Sequence, residues 1–290
     1  MTSSAGSTQP SAERTRRPVT RVALVTHGKA EQVGSGVERL AAVAREAGVE
    51  LVVSAEEAAR HALAEQGDAA GADLAVVLGG DGTMLRALRM FLGTGVPVLG
   101  VNFGRVGFLS AVDRDGLEEG LRRALAGDLV VVELPTLEVV NGGTPDVAVN
   151  DVVVTSGHLG RMIELEWAVG GEDLGRVPCD GLICSTPSGS TAYNLSNGGP
   201  VLMWGLDALA TTFVAPHSLH ARPLVIPRGK DVVVWNRTDD VNGVVIVDGH
   251  RVGEAAPDEH VTVRLGDART LLATLPEATF VSRYRESFST

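Results

Sequence analysis

Two stretches carry side chains that could do chemistry. The first, Gly79-Gly80-Asp81-Gly82-Thr83, follows five apolar residues at 74–78 and precedes Met84, Leu85, Leu88, Phe91 and Leu92 at helical spacing. That pattern reads as strand, tight loop and helix. Such a junction offers unpaired backbone N–H groups and the positive end of a helix dipole, a favourable place for phosphate, and glycines let the phosphate approach the backbone. A carboxylate there repels an anionic ligand unless it has a task, and Asp81 has two open to it: holding Mg²⁺ or accepting a proton. Gly79, Gly80 and Thr83 are therefore candidates for holding donor phosphates, with Lys29 or Arg105 as a nearby cation. The stretch has neither the Gly-Lys-Ser/Thr of a Walker loop nor the glycine spacing of the dinucleotide fingerprint. A bare Gly-Asp-Gly is also an ordinary turn.

The second stretch spans 180–200: Asp180 and an apolar run, then Ser185-Thr186-Pro187-Ser188-Gly189-Ser190-Thr191-Ala192-Tyr193-Asn194-Leu195-Ser196, ending in Asn197-Gly198-Gly199-Pro200. A buried-type strand runs into a hydroxyl-dense loop and one short helix from about Ser190 to before Gly198. Small hydroxyl groups beside Tyr193 suit a ribose and an adenine; the plainer alternative is a capped turn or linker. Upstream, Asn150-Asp151 interrupts a run of valine and alanine, and polar side chains in a buried strand need partners. After the fourth strand, Asn102 to Leu109 should reach the same sheet edge as Asp81, with Gly104 and Gly107 shaping the loop. Asn102 and Phe108 then either face a ligand or belong to a surface loop with a core phenylalanine.

The elements that must position these residues change character along the chain. Strands at 22–26, 51–53, 74–78 and 96–101 alternate with helices at 37–47, 55–66 and 84–92, and a further helix follows at 114–126, its leucines four residues apart. This predicts a Rossmann-like α/β domain over 19–127 with a parallel sheet and its ligand crevice at the C-terminal strand ends. Strands then follow one another at 129–134, 136–140, 147–155, 162–169, 181–185, 211–214, 232–236, 244–247 and 261–265, predicting an all-β, sandwich-like domain over 128–277. Residues 278–290 are expected to return to the first domain as a strand or short helix. Residues 1–18, rich in Ser, Thr, Arg and Pro without an apolar core, are expected to be a disordered leader, neither signal peptide nor anchor.

The 290 residues, 44% hydrophobic and 21% charged, are ordinary for a soluble globular protein. A formal charge of −11 argues against nucleic acid or an anionic membrane as partner. Cys179 and Cys184 lack partners at zinc spacing and are expected to be buried thiols. No stretch reaches the length of a spanning helix, and a cytoplasmic location is expected.

The motifs together resemble the NAD kinases. The resemblance rests on Gly79–Thr83 as the chain runs, Asn150-Asp151, Asp180-Gly181 with the run 185–193 and Gly198-Gly199-Pro200, Ala215-Pro216-His217-Ser218-Leu219, Arg222-Pro223-Leu224, and Val247-Asp248-Gly249. It covers about 21–285, in the family's order, and the Ser-Thr-Pro-x-Gly-Ser-Thr-Ala-Tyr run is its most specific part. It implies transfer of a phosphoryl group from ATP or inorganic polyphosphate to the 2′-hydroxyl of the adenosine ribose of NAD, with Mg²⁺ arriving on the donor. It further implies Asp81 as general base, Gly82 against the dinucleotide, Phe108 in the pocket, and Asn150 and Asp151 on the ribose. Asp180 falls at the nicotinamide end, and Ser188, Thr191, Ala192, Tyr193 and Ser196 on the adenosine side. A homodimer or homotetramer built through the β-domain is implied as well. Asp151 stands where Glu is usual, Ser188 replaces a frequent Thr and Asn197 a frequent Ala; Arg105-Val106 replaces a frequent His-Leu. A lipid or sugar kinase sharing the Gly-Gly-Asp-Gly-Thr loop, and an NAD(P) sensor without turnover, are the alternatives.

Overall fold

The computed structural model describes residues 13–15, 18–61, 63, 67–104, 107–143 and 145–288. The chain forms two compact units: Met1–Gly80, Val96–Glu133 and Leu271–Thr290 make the first, Asp81–Gly95 and Leu134–Thr270 the second. The contiguous division expected at 127/128 is thus interleaved, because one helical segment groups with the later residues and the last twenty return to the earlier ones.

In the first unit, Arg21–Thr26 lies between Glu50–Val52 and Leu74–Gly79, and Val98–Asn102 follows, all parallel. Leu272 and Ala273, at the end of the strand His260–Thr274, extend the sheet beyond Val98 and Leu99. Near-continuous apolar strands are what a parallel sheet covered on both faces requires. Leu24, Val76 and Leu99 accordingly share one core with Leu40 and Val43 of the helix Gly36–Glu46 and Leu121 of the helix Leu117–Leu125. Gly48, at φ +68, ends the first of these helices in the left-handed conformation expected of it. Strand order reverses between Arg21–Thr26 and Leu74–Gly79, the switch point at which α/β sheets leave room for ligands. The C-terminal helix Phe280–Phe288 meets the loop after Val98–Asn102, Phe280 lying edge to face on Phe108 with ring centroids 5.3 Å apart.

The second unit is a sandwich. One sheet runs Leu224–Pro227, Ala208–Val214, Gly181–Ser185, Asp151–Ser156, Gly243–Val247, His250–Ala255, antiparallel throughout. The other places Glu172–Cys179, Ile163–Val169, Val232–Asn236 and the first part of His260–Thr274 side by side. Val154, Leu182 and Val245 of the first sheet share a core with Leu165, Val234 and Val263 of the second. Cys179 and Cys184 are free, buried thiols.

Several expectations shift. Glu13–Thr15 pairs with Leu129–Val131 as a short strand, inside the segment expected to be a leader; residues 1–12, 16 and 17 lie outside the described residues. The helix after the glycine loop starts at Asp81 instead of 84. Leu129–Val140 is one strand through Pro135, whose φ suits extended backbone. The strands Glu172–Cys179, Leu224–Pro227 and His250–Ala255 were not expected. All three end the strand order of their sheets, and edge strands carry the proline, glycine and charge that read as loop.

Replacing Leu165, fully buried in the sandwich, by alanine should cost about 2–5 kcal/mol in denaturant unfolding. Leu159→Ala, at a fully exposed site, should cost no more than about 0.5 kcal/mol.

Candidate functional site

The strand Asp151–Ser156 presents two faces. Val152 and Val154 point into the sandwich core, whereas Asp151, Val153 and Thr155 line a cavity of about 460 Å³ on the other side of the sheet. The next strand repeats the alternation: Val245 and Val247 are core residues and Ile246 lines the cavity. Leu85, Asn150, Ala192, Tyr193, Asp248 and Gly249 complete the wall. The cavity therefore has an apolar floor and a rim of carboxylate, amide and phenol, suited to a flat apolar ring joined to a hydroxylated group.

The loop after Gly181–Ser185 is held by its own hydroxyl groups. The Thr186 hydroxyl donates to the Val149 carbonyl at 2.6 Å and accepts the Gly189 N–H. Ser190 donates to the Pro187 carbonyl and accepts the Leu202 N–H. Asn194 donates to the carbonyls of Ser190 and Pro200 and accepts the Thr212 hydroxyl. A Cβ on Gly189 would lie 2.1 Å from the Asn150 carbonyl oxygen, so only glycine lets this loop reach the Asn150 backbone. Ser188, buried, donates to Asn150 Oδ1 at 3.0 Å and orients that amide. Thr191 donates to the Ser188 carbonyl. Ala192 divides the short helical turn Gly189–Thr191 from Tyr193–Ser196, and Tyr193, 46% exposed, follows it into the wall. Ser196 is exposed and is not a lining residue.

Asp151 is 7% exposed. Burial pushes its carboxyl up to about 6, and the neighbouring Asp248 carboxylate adds to the rise. Asp180 is exposed; its carbonyl accepts the hydroxyl of Thr155, a lining residue, at 2.6 Å. Asp81 opens the helix Asp81–Met90, where the dipole favours a negative charge. Leu85 follows one turn later on the same helix face and lines the cavity.

In the first unit, Gly79 and Asn102 are partners at adjacent strand ends, and the Phe103 N–H donates to the Gly79 carbonyl. The expected arrival of Asn102 beside the glycine loop is what forms. The His27 N–H donates to the Leu78 carbonyl and exposed Lys29 follows, so Lys29, Gly79 and Gly80 gather near one sheet edge. Phe108 is buried against Phe280 and Phe288, the core packing allowed for it, and does not line the cavity. Arg105 lies outside the described residues.

Leu85, Arg89, Thr155, Ile246 and Asp248 escaped sequence reasoning as site residues. Asp248-Gly249 carried a signal, an Asp-Gly pair between two valine-rich runs, which marks a hairpin turn; nothing in Val-Val-Val-Thr separates its cavity face from its core face.

A parallel α/β unit with a glycine-rich strand-to-helix junction, joined in one chain to a β-sandwich with a carboxylate-rimmed cavity, fits the class of nucleotide-directed phosphotransferases without defining it. Comparison with known proteins narrows the class. The family model described as ATP-NAD kinase N-terminal domain matches residues 9–129, and that of the ATP-NAD kinase C-terminal domain matches 149–275. A NAD kinase of Heliobacterium modesticaldum is 44% identical over 219 residues, 74% of this chain and 77% of that protein. NAD kinase 2 of Streptomyces avermitilis is 38% identical over 224 residues, 76% and 74% of the two chains. Among solved structures, yeast NADH kinase complexed with NADH shares the fold, with TM-score 0.82, 24% identity, and 95% of this chain and 89% of that one covered. An Archaeoglobus fulgidus NAD kinase in complex with ATP matches with TM-score 0.72 and 25% identity over 92% and 97% of the chains. The chain belongs to the ATP-NAD kinase family, and its activity is that of a NAD kinase.

The Asp151 carboxyl binds its proton more tightly folded than unfolded, so the native state holds the extra proton between about pH 4 and 6 and stability falls as pH rises through that window. A rise of about two units corresponds to roughly 3 kcal/mol. Asp151→Asn should flatten this part of the Tm-against-pH curve and raise Tm near neutral pH; an unchanged curve would show that Asp151 ionises without cost.

Proposed function

We propose that the NAD kinase reaction proceeds by direct transfer of the terminal phosphoryl group of ATP to the 2′-hydroxyl of the adenosine ribose of NAD. Asp81 takes the hydroxyl proton as the new P–O bond forms and the bond to the ADP leaving group breaks. The observation that carries this reading is the helix Asp81–Met90, which bears the carboxylate in its first turn and, one turn on, supplies Leu85 to the cavity rimmed by Asn150 and Asp151. Asn150 and Asp151 hold the ribose; Ser188 fixes the Asn150 amide; Ala192 and Tyr193 take the adenine side with Thr191 and Ser196 behind them. Asp180 receives the nicotinamide end, and Gly82 and Phe108 are assigned to the dinucleotide by resemblance alone.

An ordinary carboxylate with pKa near ~4 is a weak base for a ribose hydroxyl, so Asp81 accepts the proton late, as the hydroxyl becomes acidic in the transition state. Donor phosphates are assigned to the backbone of Gly79, Gly80 and Thr83 with Lys29 beside them, the strand-end location that the parallel sheet favours. Arg105 keeps its assignment from the sequence. Mg²⁺ would supply charge neutralisation on the donor; a cation bound mainly through phosphate and water needs only one or two carboxylates, and the described residues hold no grouping of three or more metal-ligating side chains. Polyphosphate as an alternative donor, a cytoplasmic location and a homodimer or homotetramer belong to the same proposal. The apolar edge strand Leu224–Pro227, with Leu224 and Val225 exposed, supports assembly through the second unit. No described helix is long and apolar enough to cross a membrane.

The test is NADP formation from NAD and Mg-ATP. Asp81→Asn keeps the side chain's size and removes the base, and should lower kcat by about 10²–10⁴-fold with NAD still bound; near-normal turnover would sink the assignment. Lys29→Ala should raise the KM for ATP several-fold and leave the KM for NAD unchanged; an unaltered KM for ATP would take Lys29 out of the donor site.

A further inference from the structure

Asp248 and Gly249 make the two-residue turn joining Gly243–Val247 to His250–Ala255, with Val247 opposite His250 and φ of +47 and +80. A turn of this kind needs positive φ at both positions and is served equally by Asn-Gly or Gly-Gly. It gives no reason for a charge. Yet the Asp248 side chain is 0% exposed, and a buried carboxylate is costly unless donors surround it. Here they do. Oδ1 accepts the backbone N–H of Asn150 at 2.8 Å and of Asp151 at 3.1 Å; Oδ2 accepts the N–H of Val149 at 2.9 Å and Nη1 of Arg89 at 3.0 Å.

These donors belong to the two pieces of chain that the proposed reaction brings together. Val149 and Asn150 form a bend between the strands Asp146–Ala148 and Asp151–Ser156, which lie in different sheets, so their N–H groups have no ladder to join. Arg89 lies two turns beyond Asp81 on its helix, with Leu85 between them in the cavity wall. An asparagine in place of Asp248 would present one acceptor oxygen and turn an NH₂ toward other donors.

We propose that Asp248 is a positioning residue for the acceptor: its carboxylate, bound to three backbone N–H groups and to Arg89, holds Asn150 and Asp151 in register with the helix that carries Asp81. The proposal rests on the reading of Asn150 and Asp151 as ribose ligands. Its consequence is selective: the NAD side of the reaction depends on Asp248, and the ATP side does not.

The experiment compares Asp248→Asn, Arg89→Met, Arg89→Lys and the double variant Asp248→Asn/Arg89→Met, measuring Tm, NAD affinity by calorimetry, and KM for NAD and ATP. Asp248→Asn should raise Kd and KM for NAD by about tenfold or more while KM for ATP stays within about twofold. Arg89→Met should raise them by about three- to tenfold, and Arg89→Lys should recover most of the loss. The double variant should be no worse than Asp248→Asn, because Arg89 acts through that carboxylate. A lower Tm with NAD affinity unchanged would make Asp248 purely structural, and equal shifts for NAD and ATP would also overturn the proposal. Should Asp248→Asn fail to fold, Arg89→Met decides alone, since unchanged NAD affinity there removes the coupling. Calorimetry needs no turnover, so an active Asp81→Asn would overturn the base assignment while leaving the Asp248 result standing, and the converse holds as well.

Discussion

Backbone N–H and C=O groups taken out of a sheet ladder and buried must find partners, and the second unit is shaped by that requirement wherever its strands break. At the bend before Asp151 the partner is a carboxylate, Asp248. At the loop after Ser185 it is a set of hydroxyls and one amide, with Thr186 on Val149, Ser190 on Pro187 and Leu202, and Asn194 on Ser190 and Pro200. The two repairs meet, because the Thr186 N–H donates to the Asn150 carbonyl while Asp248 receives the Asn150 N–H. Asn150 is thus gripped at both backbone polar groups and, through Ser188, at its side chain. A ligand group met by this amide finds it already oriented, which is how a site lowers the entropy cost of binding.

The two units use opposite properties of β-structure. The first has strands buried on both faces, so side chains are committed to packing, and the proposed donor site is left to the strand ends near Gly79 and Asn102. The second has antiparallel strands whose residues alternate between a core and a cavity, so in the proposed reaction the acceptor meets every other side chain of Asp151–Ser156. Phosphate, which is bound well by backbone N–H groups, suits the former; a ribose and a base, which need shaped apolar and hydroxyl-binding surfaces, suit the latter.

Sequence periodicity exposed the α/β unit because its signals are strong and local: apolar strands, helices with four-residue leucine spacing, and Gly48 and Gly127 at helix ends, both at positive φ. It exposed the central strands of the sandwich for the same reason. The strands Glu172–Cys179, Leu224–Pro227 and His250–Ala255 went unseen because they lie at sheet edges, where Pro178, Pro227 and Gly253 resemble loop signals. The long strand His260–Thr274 was cut short at Gly266-Asp267, which looks like a turn; Gly266 instead admits a close approach of Thr136, whose Oγ1 would lie 2.9 Å from a Cβ there. In the site, the polar residues of 180–200 were legible as a group but not in their division of labour. Whether a hydroxyl or amide serves the chain or a ligand depends on which groups the fold brings near it, and Val149 and Thr212, which pair with Thr186 and Asn194, lie well outside the loop in sequence.

That division of labour bears on how a weak base is made effective. In the proposed reaction Asp81 sits in the first turn of a helix, and its task is to meet the acceptor hydroxyl in the right place. Phosphoryl transfer asks chiefly for alignment of nucleophile and donor with stabilisation of spreading charge, and a hydroxyl held within reach of a carboxylate gains more from fixed orientation than from a few units of pKa. Within the second unit, the helix that carries Asp81 is tied to the sandwich by Arg89 on Asp248 and by the Thr270 hydroxyl on the Leu88 carbonyl. The two contacts come from adjacent residues about 100° apart around the helix axis, so together they resist both rotation and sliding of the helix that carries Asp81.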